Sequence, residues 1–134
     1  MTTQDSRMRD SIEKIIAAHG KTAEFEQAEE FHLRIENPPF LPLSIERHGR
    51  TATVTHYYEQ NGDLVPDPDM EFEITPDGRW LPVAIQFATG AYKRAITFDE
   101  DGRKLVNPRE LRDQIEFSNM WARNLIAQGF ARKR

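Results

Sequence analysis

The 134-residue chain contains no cysteine. Disulfides, thiolate metal sites and cysteine nucleophiles are thereby excluded, and a small domain that does without them suits a reducing compartment. Long apolar runs are also missing. The N-terminus MTTQDSRMRDS is polar, and no span approaches the ~18 apolar residues needed to cross a bilayer. Neither a secretion signal nor a membrane span is expected, and the expected location is the cytoplasm. Basic residues are absent where acids gather: Thr51 to Gly78 holds no Lys or Arg against seven carboxylates, Glu59, Asp63, Asp67, Asp69, Glu71, Glu73 and Asp77.

The formal net charge of −4 is therefore unevenly spread, with −7 over residues 51–78 and +5 over residues 103–134. A duplex-binding domain carries a basic stripe on its main body, whereas here the positive charge falls on one helix and the tail ARKR, so nucleic acid is not the expected partner. Hydrophobic residues make up 38% and charged residues 30%, the balance of a globular chain with a polar surface. The length suits one domain over residues 1–134.

Asp5 or Ser6 is placed to cap a first helix, within residues 1–21, in which Met8, Ile12, Ile15, Ile16 and His19 share one face before Gly20 stops it. The segment TAEFEQAEE (22–30) has helix-forming composition but too few apolar positions for a buried stripe. From Phe31 the apolar period becomes two, and short strands then follow at regular spacing through residue 98. They are separated by Pro38-Pro39, His48-Gly49, Asn61-Gly62, Pro76-Asp77-Gly78 and Ala88-Thr89-Gly90, with Trp80–Phe87 and Tyr92–Phe98 as the last two strands and Asp99–Gly102 as the closing turn. Asn107-Pro108-Arg109-Glu110 opens a long helix over 107–129, with Leu111, Ile115, Ser118, Ala122 and Leu125 in a stripe that Phe117 and Trp121 widen. Gly129 ends it, Phe130 folds back, and a basic tail occupies 131–134. The pattern predicts an α+β fold: a helix, an antiparallel meander of about six strands, and a long helix laid across one face.

The acidic hairpin is the candidate site. His56, Tyr58, Glu59, Asp63, Asp67, Asp69 and Glu71 could converge on one edge of the sheet and meet a protein partner, tyrosine being frequent at interface anchors. Tyr57 and Tyr58 point to opposite sides of their strand, one toward the core and one toward the surface. A second reading uses His56 with Asp63, Asp67 or Asp69 in a metal-dependent hydrolase, since imidazole and carboxylate together suit a divalent ion. Against it, the acids do not follow calcium-loop order and no H-E-x-x-H occurs. A third reading is a small-ligand carrier with a pocket between sheet and helix. Trp80 and Trp121 read as core, and His32 and His48 as solvated. Ser118 has neither a nucleophile elbow nor a base partner. No cofactor, metal or catalytic residue is assigned.

The segment HYYEQNGDLVPDPDMEFEI (56–74), the Trp80-Leu-Pro-Val that follows and the ending FSNMWARNLIAQGF (117–130) resemble a family of uncharacterised bacterial domains, over roughly residues 40–130. Such domains are often met on conjugative elements and phage-related DNA, alone or inside large polyvalent proteins. More distantly, Arg50-Thr-Ala-Thr-Val, Pro68-Asp-Met-Glu and the closing Trp-containing helix are similar to another uncharacterised bacterial family. The resemblance implies a bacterial cytoplasm and a mobile-element setting, and transfers no activity. The expected role is a non-enzymatic accessory or interaction protein that presents the hairpin 56–73.

Overall fold

A computed structural model describes residues 7–132. Helix α1 (Arg7–Ala18) is followed by a short α2 (Thr22–Gln27), then by strands β1 (Glu30–Asn37), β2 (Phe40–His48), β3 (Thr51–Gln60), β4 (Asp63–Ile74), β5 (Trp80–Gln86) and β6 (Tyr92–Arg94). Two further strands, β7 (Ile96–Phe98) and β8 (Lys104–Val106), precede the long helix α3 (Pro108–Ala127). β1 to β6 form one sheet in sequence order with every neighbouring pair antiparallel, and β7 with β8 forms a separate two-stranded ribbon.

The sheet is apolar on one side because its strands alternate. Phe31 and Ile35 on β1, Leu43 and Ile45 on β2, Ala52 and Val54 on β3, and Met70 and Phe72 on β4 are buried in one cluster with the helix residues Met8, Ile12, Ile15, Ile16, Phe25, Trp121, Ala122 and Leu125. All three helices therefore pack on the same face. The α1 stripe is sealed against α3 by Ser11, whose hydroxyl donates to the Ala122 carbonyl at 3.2 Å. Asn107 caps α3 by accepting from the Glu110 N–H. At the other end, Phe130 N–H bonds to Leu125 O and Gly129 N–H to Ile126 O, the paired closure that needs the left-handed Gly129 (φ 93°) and tucks Phe130 into the core.

The structure departs from the pattern in three places. Within residues 22–30, Thr22–Gln27 form α2, held by one buried side chain, Phe25, which packs edge-on against Phe31, and Glu30 already begins β1. The expected strand 92–98 breaks at Ala95, whose N–H bonds to Val83 O while its carbonyl accepts from Asn107. The turn 99–102 does not end the sheet region but closes the β7–β8 ribbon, with Asp99 Oδ1 accepting from the Asp101 and Arg103 amides. The expected caps Asp5 and Ser6, and Lys133 and Arg134 of the tail, lie outside the described residues. Among the described residues, no helix is long and apolar enough to cross a membrane.

Candidate functional site

The acid-rich segment is a hairpin, as its turn residues predict: Asn61 (φ 53°) and Gly62 (φ 86°) both take positive φ, the pair of left-handed residues that a tight two-residue hairpin turn requires. Its two faces differ in chemistry. On β3, Ala52, Val54 and then His56 point toward the helices, whereas Thr53, Thr55 and Tyr57 point away. Thr55 stands opposite Asp69 but Tyr57 opposite Pro66, so β4 carries an extra residue facing His56.

This alternation separates the residues that the sequence grouped. His56 lies between Trp121 and Phe130, with ring centroids 5.4 and 5.7 Å away, and its Nδ1 is 3.1 Å from the Pro42 carbonyl. Burial lowers its pKa from the ordinary histidine value, opposed by the Pro42 and Leu41 carbonyls and by the charge of Asp67. A neutral imidazole with Nδ1–H donated to Pro42 fits that setting. Asp67 accepts from the Ala88 N–H at 3.1 Å and so ties the hairpin to the end of β5. Glu59 and Asp63 are exposed near the tip, and Asp77 belongs to the β4–β5 turn, where Thr75 and Arg79 hold its carboxyl below the usual carboxylate range. Tyr57 and Tyr58 are both half-buried rather than divided between core and surface.

The open face gathers a different set. Cross-strand register aligns Arg34, Ser44, Thr55, Asp69, Gln86 and Tyr92 in one row over all six strands, and His32, Glu46, Thr53, Glu71, Ala84 and Arg94 in the next. Asp69 is half-buried there, accepts from the Thr55 hydroxyl at 3.1 Å, and has no cation partner among the described residues. Its pKa is raised, chiefly by burial; Thr55 opposes the shift and the charge of Glu46 adds to it. The Tyr57 hydroxyl is raised by burial, then by Asp69 and Glu46. Glu73 at the margin is ion-paired with Lys104 of β8 at 2.9 Å.

Glu46 and Tyr57 were missed as site residues. The signal for Tyr57 was present, because Thr53 and Thr55 set the parity of the open face. Glu46 carried none without knowing the β2–β3 register. Among the described residues, no group of three or more His, Asp or Glu side chains is placed to hold a metal ion.

The profile of a family described as a domain of unknown function (DUF6908) matches residues 10–131, and the chain belongs to that family. No curated protein and no solved structure matches.

Proposed function

We propose that this member of the DUF6908 family is a non-enzymatic interaction protein whose open sheet face docks a basic segment of a partner protein. One observation carries the reading: Asp69 is a half-buried carboxylate with no cation partner among the described residues, on the sheet face turned away from the main core, and Glu46 and Glu71 flank it in the adjoining row. Desolvating a carboxylate without pairing it is unfavourable, and an arriving Lys or Arg removes that penalty while excluding water. Thr55 and Tyr57 add hydroxyls beside the charge, and Tyr92 ends the row as an exposed aromatic. The same alternation separates His56, which faces the helices, from Asp69 on the opposite side.

A peptide-display selection against the immobilised chain tests this. Selected ligands are expected to be rich in Lys and Arg, and to lose at least about tenfold in affinity against a Glu46→Gln, Asp69→Asn, Glu71→Gln variant. Ligands without basic residues, or binding that the triple variant leaves intact, would overturn the reading.

A further inference from the structure

The two edges of the six-stranded sheet are unlike. β6 is three residues long and carries Lys93 and Arg94, a blunted edge of the kind that resists further pairing. β1 is eight residues long, holds neither Lys nor Pro, and among the described residues no strand pairs with its outer side.

Which backbone groups face outward follows from the ladder. Gly49 donates to the Glu29 carbonyl at 2.7 Å, and residues 29 and 49 are opposite one another in the β1–β2 register. Hydrogen-bonded pairs alternate in an antiparallel ladder, so Phe31, Leu33 and Ile35 direct their amides to β2 while Glu30, His32 and Arg34 direct theirs outward. The side chains of these same three residues are exposed on the open face. An open furrow of about 430 Å³, lined by Ala23, Gln27 and Phe31 among others, lies beside the start of the strand and leaves room for a neighbour.

We propose that β1 pairs antiparallel with β1 of a second copy, about a two-fold axis at His32, so that two six-stranded sheets continue as one. Charge selects this register. Centring on Leu33 would set Glu30 against Glu36 and His32 against Arg34, and centring on Arg34 would oppose two guanidinium groups. Centring on His32 places each Glu30 against Arg34 of the other copy, giving two ion pairs, and sets Phe31 opposite Leu33, extending the apolar side. Centring on Ile35 also pairs opposite charges, Arg34 with Glu36, but Pro38-Pro39 cuts that ladder short. Leu33, only partly buried at the margin of the core, is covered by the pairing. The inference stands on the strand edge and is independent of what the open face binds.

Sedimentation equilibrium of the whole chain reads the outcome. A dimer is expected whose dissociation constant rises at least about tenfold in Arg34→Glu and recovers when Glu30→Arg is added. Because the chain has no cysteine, His32→Cys supplies the only thiol and stands opposite itself across the axis, within the ~5.5 Å Cα separation of a bonded pair that a disulfide can span. Mild oxidation should cross-link it, and should leave Arg34→Cys as single chains. The charge variants alter exposed side chains only, so they remain informative should a cysteine variant fold poorly. A chain that stays monomeric at roughly 100 µM, or a dimer indifferent to the charge exchange and cross-linked equally at both positions, would overturn the proposal.

Discussion

At the scale of single residues, β3 and β4 carry two titratable groups whose shifts have opposite consequences for stability. The folded pKa of His56 lies below its unfolded value, so the unfolded chain binds the proton more readily. Stability from this group is complete above about pH 6.5 and is lost as pH falls through that value toward the folded pKa. Asp69 behaves oppositely: with a folded pKa above the unfolded value, it costs stability once pH exceeds both, and acidification relieves that cost. Urea unfolding of wild type and two variants between pH 7 and 4 separates the terms. His56→Phe should lose less stability than wild type between pH 7 and 5. Asp69→Asn can still accept from Thr55, and should raise stability at pH 7 by no more than ~1 kcal/mol once solvent screening is counted. Unchanged pH slopes in both variants would show that neither group is shifted.

At the scale of elements, α3 depends on its stripe and its cap. Leu125 is fully buried, and Leu125→Ala should cost ~2–5 kcal/mol, whereas Asn107→Ala removes the bond to the Glu110 amide and should cost ~1 kcal/mol. Both are read from denaturant midpoints at constant m-value. Losses below half a kilocalorie in each would mean that the helix is held elsewhere. The bounds and most of the stripe of this helix were legible, because its start, stripe and stop each have a local physical signature: an Asn-Pro-x-Glu opening, apolar spacing of three and four, and a glycine with an apolar residue after it; the buried Gln114 and the only partly buried Leu111 were not. β1 to β5 were legible for a similar reason, alternation punctuated by turn residues. The two faces of the hairpin were not, because a strand's sides differ by one position and this hairpin mixes Thr, Tyr, His and Asp on both. His56 reads as a site residue by its chemistry, yet it extends the Ala52–Val54 side and packs between two rings. The β7–β8 ribbon escaped because each strand has only three residues, too few for a period to declare itself.

At the scale of the whole molecule, the charge imbalance along the chain becomes an imbalance across the sheet. Glu46 on β2 and Asp69 and Glu71 on β4 share one face, and strands two apart are separated by roughly 10 Å. That distance is comparable to the Debye length at 0.1 M salt and about three times the length at 1 M, so their mutual repulsion is felt in dilute buffer and screened in concentrated salt. Lys104 neutralises only Glu73, and the Glu46 neighbours His32 and His48 offset its charge only when protonated. Wild type should therefore gain stability between about 0.02 and 1 M sodium chloride, and the Glu46→Gln, Asp69→Asn, Glu71→Gln variant should gain less, because the mutual repulsion of these three acids is gone. The variant should also be the more stable of the two at the low-salt end, by an amount that shrinks as salt rises. Thermal unfolding across the salt series measures both. Parallel salt slopes for the two proteins would mean that the acids already lie too far apart or too deep in water to repel. The open face would then hold no electrostatic strain for a basic partner to relieve.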